Sequence, residues 1–450
     1  MADLRTLAAS VRTLRLEGRR AALDRLVDRR RDASWMRTVV RRGRGRAAEV
    51  AVLNLLPTRP AVRLGGVQVQ LQARLAAEVE ERPVALLFLA GSGWRLLRPG
   101  GPARGELVAS GPSGSGALSA GEVSAAVHAA MARVGARAVH VENLAGLSPE
   151  VLLGPAEEGL RMVLGIHDFA PFCPRPHLIE AATGSFCGYC TDPVRCAACL
   201  ASGGPTVPGF QERRRAVSGA LLAAAEAVVY PSGFARDAFR ALFPGLDPAR
   251  QAVIAPAVAL PAGERSASGP RGPVRRIACL GPVKPHKGGA VLLEVVRLLS
   301  GTGGPRLTFR VYGGGDAKLL EPLGRLPGVE VRGSYRAGSL PGLLAADEID
   351  LALLLSVWPE THALVLDECA ASGVPVVAFD LGAQGARVRE LGLGPTVPPD
   401  LGARGVADAV ATLARAPRGP EVAADVRGRL ASPGDAARAH VALYRRLGLL

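Results

Sequence analysis

Lysine is nearly absent from this 450-residue chain: of its 55 lysines and arginines only three are lysine, Lys284, Lys287 and Lys318. Aromatic residues make up 4%, too few to supply the stacking platforms on which single-stranded nucleic acid binders rely. No run of 18 apolar residues occurs, which excludes a spanning helix. The N-terminal arginines are not followed by the apolar stretch of a secretory leader, so an unexported, cytoplasmic protein is expected. Seven cysteines are too few for a disulfide scaffold of this length and fit a reducing compartment. What is present is apolar: 48% hydrophobic and 21% charged residues exclude disorder and collagen. The length exceeds the ~250 to 300 residues at which a single core stops growing, so two domains are expected.

The net charge of +15 is unevenly spread, and residues 1–48, with 14 arginines against Asp3, Glu17, Asp24, Asp28 and Asp32, carry +9 of it. A composition rich in Ala, Gly, Pro and Arg produces much of this bias without a basic partner, so net charge alone is weak support for nucleic acid binding. Leu4, Leu7, Val11 and Leu14, then Leu23, Leu26 and Val27, recur at helical spacing with arginines opposite. Two readings stand: a basic amphipathic helix whose residues 1–30 touch an anionic membrane surface, or a helix packed on its own domain.

From residue 49 short apolar runs alternate with helical stretches, the pattern of a parallel sheet covered on both faces. Strands are expected at 50–56, 83–90, 136–141, 161–165, 227–230 and 252–257, and helices at 67–81, 123–134 and 232–242; residues 91–121 read as loop. Residues 263–273 form a polar Gly/Ser/Pro linker. A second unit follows, with strands at 276–280, 307–312, 329–331, 351–355 and 374–379, then a last helix at 435–447. The expected architecture is α/β: two doubly wound, Rossmann-like domains, 49–262 and 274–432, facing a cleft at their strand C-termini, with a C-terminal helix in 433–450.

Three groups of residues carry chemistry. Trp358-Pro359-Glu360-Thr361-His362-Ala363-Leu364-Val365-Leu366-Asp367-Glu368 follows a strand, places Glu360 on a loop and Glu368 on a helix ended by Gly373, and precedes the apolar run 374–379. Gly281-Pro282-Val283-Lys284-Pro285-His286-Lys287-Gly288 joins a strand to a helix and holds two of the three lysines. Gly165-Ile166-His167-Asp168-Phe169 closes a buried strand, and Gly65-Gly66 opens the first helix. Cys187-x2-Cys190-x5-Cys196-x2-Cys199 has the paired spacing of a thiolate zinc site, with Cys173 as an alternative ligand. An iron–sulfur cluster and unliganded thiols are the other readings of these cysteines.

At the two glutamates with seven residues between them the sequence resembles the retaining glycosyltransferases of the GT-B fold, family 4 (glycosyl transferases group 1). The resemblance covers roughly residues 50–413. It implies that Glu360 sits beside the donor sugar and Glu368 accepts hydrogen bonds from the nucleotide ribose. It further implies that Lys287, aided by Lys284 and backbone amides, meets the diphosphate. His167 resembles the family's histidine near the acceptor, Gly65 and Gly66 its glycine loop, and Gly313, in Tyr312-Gly313-Gly314-Gly315, a nucleotide-side glycine. Many members carry an arginine five or six residues before the lysine, where this chain has Pro282 and Gly281. The implied activity is transfer of a sugar from a nucleotide-sugar donor to a glycan, lipid-linked or small-molecule acceptor with retention, as in bacterial polysaccharide biosynthesis. No catalytic metal is needed, and structural zinc is the only cofactor expected. A GT-B phosphorylase or synthase, a catalytically silent GT-B-like scaffold and a zinc-bearing nucleic acid binder are the alternatives. The last is disfavoured because the arginine cluster lies far along the chain from the cysteines. The expected location is the cytoplasm, with peripheral contact to the inner face of the plasma membrane.

Overall fold

The structure is a computed structural model that describes residues 49–57, 66–90, 93–98, 106–110, 119–144, 146–203, 207–257, 260, 272–300, 306–336, 338–417, 419–423 and 425–450. The helix expected within residues 1–48, Gly65 and most of the 263–273 linker lie outside the described residues.

In the first half the elements are β1 (Val52–Leu56), α1 (Gly66–Glu81), β2 (Ala85–Ala90), β3 (Gly93–Arg98), β4 (Glu106–Ser110), α2 (Ala120–Val134), β5 (Ala138–Val141), α3 (Glu150–Glu157), β6 (Met162–Gly165), α4 (Pro193–Ala201), α5 (Phe210–Ala224), β7 (Ala227–Tyr230), α6 (Gly233–Leu242) and β8 (Gln251–Val253). The second half contains β9 (Arg276–Leu280), α7 (Gly289–Ser300), β10 (Thr308–Tyr312), α8 (Ala317–Gly324), β11 (Val329–Gly333), α9 (Leu340–Ala346), β12 (Leu351–Leu354), α10 (Val365–Ser372), β13 (Val376–Phe379), α11 (Gly382–Leu391), β14 (Thr396–Val397) and α12 (Gly402–Arg415); α13 (Pro433–Arg446) closes the chain.

The strands form two sheets, β4-β3-β2-β1-β5-β6-β7-β8 and β11-β10-β9-β12-β13-β14. The inner strands β1, β5, β6, β7, β12 and β13 are buried along their whole length, which is why they read as unbroken apolar runs rather than alternating ones. Pairing is parallel except for β2-β3 and β3-β4, an antiparallel edge formed from the segment expected to be loop. Its Gly, Ser and Pro content obscured two short strands, in the first of which Leu96 is fully buried.

In each sheet the chain winds one way from a first strand and then returns to that strand's other side, between β1 and β5 in the first and between β9 and β12 in the second. Loops diverge at such a switch point and leave a crevice beyond the strand C-termini. Lys287 follows β9 and Glu360 follows β12, so the topology brings together residues 73 apart in sequence.

Helix α13 opens with a capping box in which the Ser432 hydroxyl accepts from the Asp435 amide while Asp435 receives the Ser432 amide. It then crosses back to the first half. Fully buried Tyr444 packs with Val52, Ala138, Val163 and Ala227, and its hydroxyl lies 2.6 Å from His140 Nδ1. Arg161 donates to the Leu447 carbonyl at 2.8 Å. The last helix therefore belongs physically to the first sheet's core.

Candidate active site

The turn after β9 is tight because its glycines approach backbone. Gly288 has φ +74°, and a Cβ there would stand 1.8 Å from the Leu355 carbonyl oxygen. Gly313, at φ +146°, would bring a Cβ within 2.3 Å of the Gly281 carbonyl oxygen. Gly313 thus lets the β10 end close on the lysine turn. Lys284 begins a short 3-10 turn over Pro285–Lys287, and its carbonyl accepts the amides of Lys287 and Gly289, leading into α7.

Lys287 Nζ donates to Glu360 Oε1 at 2.8 Å and lies 5.4 Å from the Trp358 ring centroid. Glu360 is buried and also accepts from the Ser356 hydroxyl. Burial alone would raise its pKa, but the Lys287 charge and these hydrogen bonds hold it below the usual glutamate range, so it is a carboxylate. Fully buried Gln384 pins the loop: its Oε1 accepts the Glu360 amide at 3.0 Å, and its Nε2 donates to the Ser356 and Trp358 carbonyls at 3.1 and 3.2 Å.

Glu368, on α10, is held differently. Its Oε1 accepts the Gly338 amide at 3.1 Å. Burial pushes its pKa up to about 7 against the opposing pull of the Gly338 and Leu340 amides. The two glutamates thus occupy distinct environments, one ion-paired and the other cradled by backbone. Asp367 between them turns to His362 Nε2 at 3.1 Å and to Arg387.

On the first half, His167 lies beyond β6. Burial and the Arg74 charge lower its pKa to about 4, so it is neutral at pH 7. Its Nε2 is 3.5 Å from Gln70 Nε2, and its carbonyl accepts the Thr361 hydroxyl at 2.7 Å. Two further contacts tie the halves: Ser232 Oγ donates to the Thr361 carbonyl at 2.7 Å, and His362 Nδ1 donates to the Pro231 carbonyl at 3.0 Å. Gly66, at the start of α1, faces the second half, where a Cβ would be 3.4 Å from a Leu364 methyl. Behind it Arg74 is buried against Glu78, at 3.2 Å, and Glu142.

The structure therefore gathers Lys287, Lys284, Glu360 and Gly313 at one switch point, brings His167 to the adjoining loop through Thr361, and seats Glu368 on the helix that follows. Sequence reasoning missed His177, His286, Ser356, Gln384 and the buried Arg74–Glu142 pair. His286, inside the lysine turn, and Ser356, four residues before Glu360 in the same loop, carried a positional signal; the others come from separate elements with no shared spacing.

Cys173, Cys187, Cys190, Cys196 and Cys199 are all free thiols and line one cavity with Phe172 and Arg215. Cys196 Sγ donates to the Cys190 carbonyl at 3.4 Å, and Cys199 Sγ accepts the Ala181 amide at 3.4 Å. Among the described residues no three potential ligands are arranged to hold a metal ion. No described helix is long and apolar enough to cross a membrane.

Residues 274–416 match the family model described as glycosyl transferases group 1, so the second half of the chain carries that domain. Solved structures with the same overall fold include sucrose-phosphate synthase from Thermosynechococcus elongatus, 16% identical over 89% of this chain and 97% of that one, with a TM-score of 0.57. Others are a glycosyltransferase from Rickettsia africae, 13% identical over 88% and 99% with a TM-score of 0.54, and Anabaena HepE in complex with UDP, 16% identical over 89% and 96% with a TM-score of 0.51. No curated protein matches the chain by sequence. The fold is GT-B, two Rossmann-like α/β halves.

Proposed function

We propose that the protein is a retaining, family 4-like glycosyltransferase that takes a sugar from a nucleoside diphosphate sugar and passes it to a glycan, lipid-linked or small-molecule acceptor. The observation that carries this reading is the Lys287–Glu360 pair at the switch point of the group 1 domain, 2.8 Å apart and held by Ser356 and Gln384. An ammonium beside a carboxylate, at the start of a 12-residue helix, suits a ligand with both an anionic group and hydroxyls.

In this reading Lys287 and Lys284 meet the donor diphosphate, Gly313 keeps the turn close, Glu368 accepts the ribose hydroxyls and Glu360 stands beside the donor sugar. His167 and the Gly65–Gly66 loop serve the acceptor side. Transfer breaks the bond from the anomeric carbon to the diphosphate oxygen and forms one to the acceptor oxygen on the same face. The acceptor proton passes to the departing diphosphate, whose growing charge Lys287 stabilises. That UDP is bound in HepE supports a nucleotide donor.

Two subsidiary readings belong here. Cys187, Cys190, Cys196 and Cys199, with Cys173 as alternative, would be the ligands of a structural zinc by their paired spacing and shared cavity, and would have to draw together to bind it, since no three of them are so arranged here. Residues 1–30 bring a cytoplasmic enzyme to an anionic membrane surface, supported by their charge and periodicity.

A thermal-shift screen of UDP, GDP and ADP sugars tests the main reading, since a ligand at 100 times its Kd adds about 2.7 kcal/mol. A shift with one nucleotide class is expected; no shift with any would point to a catalytically silent scaffold.

A further inference from the structure

A pair of histidines meets between the two halves. His177 comes from the first half, in the segment after β6, and His286 lies inside the lysine turn of the second. Their rings are parallel within 8°, with centroids 4.0 Å apart, and the Trp358 ring stands edge-on to His177 at 4.8 Å. The charged groups acting on both rings are Lys284, Lys287 and Glu360. Two lysines and two imidazoles thus converge where the switch point opens.

Their charges are unequally committed. Lys287 is already balanced by Glu360 at 2.8 Å, whereas Lys284 has no ion-pair partner among the described residues. Burial, chiefly, and the neighbouring lysines hold both imidazoles at about 4, so each is neutral at pH 7. As it stands the cluster offers little more than one uncompensated positive charge. A nucleotide-sugar diphosphate brings two negative ones.

We propose that His177 and His286 complete the seat for the donor's diphosphate, and that one proton enters the stacked pair from solvent when the anion binds. This rests on the nucleotide-sugar reading above. The anion outweighs the lysines' field and works against burial, because an opposite charge within a few ångströms favours the protonated form. Uptake stops at one proton, since two imidazolium rings in this stack would repel each other, whereas one imidazolium on a neutral ring is attracted to its face. Because His177 belongs to the other half, occupying the seat also ties the acceptor-side half to the donor.

The test is calorimetric titration of the full chain with UDP-glucose, GDP-mannose and ADP-glucose, whose diphosphate diesters do not titrate near neutrality, at pH 7 and pH 8 in two buffers of different ionisation enthalpy. At pH 7 the wild-type protein should take up less than one net proton per donor bound, because Glu368 gives up part of a proton as the histidine pair gains one, and its affinity should rise as pH falls from 8 toward 7. His177→Asn and His286→Asn should each lower the uptake, weaken binding about tenfold and flatten that pH dependence. Donor binding with no proton uptake by the wild-type protein at pH 8, where Glu368 is already mostly ionised, overturns the proposal while leaving the donor reading intact, and needs no variant to fold. If none of the three donors binds, the donor reading and this proposal fall together.

Discussion

The Lys287 ammonium and the Glu360 carboxylate stand 2.8 Å apart, the first exposed over about a quarter of its side chain and the second almost wholly buried. Neither charge is therefore independent of the other. Lys287→Ala leaves Glu360 a buried anion with only Ser356 beside it and should cost about 1 to 3 kcal/mol of stability. Glu360→Gln in the same chain should return part of that loss. A double-mutant cycle by urea denaturation measures the coupling, and strict additivity of the two single effects would show that the pair is not formed.

Glu368 ought to make donor binding pH-dependent. With its pKa at about 7 it is half protonated at neutrality, and only the carboxylate accepts two hydroxyl hydrogen bonds. Nucleotide affinity measured between pH 6 and 8 should therefore carry a component that rises with pH. This runs opposite to the histidine contribution, and each is isolated by its own substitution. Glu368→Gln should lose that component and weaken binding by a factor of roughly ten to a hundred. An unchanged pH profile in the Gln variant would remove Glu368 from the nucleotide site.

Stability should fall as pH drops below 7. Six of the seven histidines, His140, His167, His177, His286, His362 and His440, have pKa values lowered by burial, so below about 6.5 the unfolded chain binds more protons than the folded one. Asp168, Glu142 and Glu368, whose pKa values are raised, oppose this above their unfolded pKa values, but they are three against six. A melting temperature that decreases from pH 7 to pH 5 is expected, and a flat or rising one would mean these imidazoles are not buried neutral.

Much of the second half was legible because its strands are continuous apolar runs and its turns carry Gly and Lys at readable positions; β9 was expected at its observed bounds. Reading the acid-bearing segment as loop then helix also holds, with Glu360 before α10 and Glu368 within it. What was not legible depends on sequence-distant partners. Nothing local to Gln384 says that it will pin residues 356–360, and nothing in Tyr444 says that it will sit under the first sheet. The β3-β4 edge was hidden because strand propensity there competes with a turn-like composition.

The crossover of α13 predicts that Tyr444→Ala destabilises the first half by about 3 to 5 kcal/mol, the usual cost of removing a fully buried aromatic ring. Tyr444→Phe, which removes only the hydroxyl facing His140, should cost nearer 1 kcal/mol. Hydrogen exchange would place the loss in β1, β5, β6 and β7; protection lost only in the second sheet would contradict the packing.

Metal analysis settles the cysteine cavity. About one zinc per chain under reducing conditions is expected, with both metal and stability reduced in Cys196→Ser, because structural zinc affinity is folding free energy. Protein purified without metal, whose melting temperature zinc does not change, would leave the thiols as cavity lining.

The most direct test of the whole account is nucleotide release from a panel of UDP, GDP and ADP sugars by wild-type protein and by Lys287→Ala, Glu360→Gln and Glu368→Gln. The account predicts turnover with at least one donor. Glu368→Gln should chiefly raise KM, Glu360→Gln chiefly lower kcat and Lys287→Ala damage both, each by about tenfold or more. Release by all three variants at the wild-type rate, or no release from any donor, would contradict it.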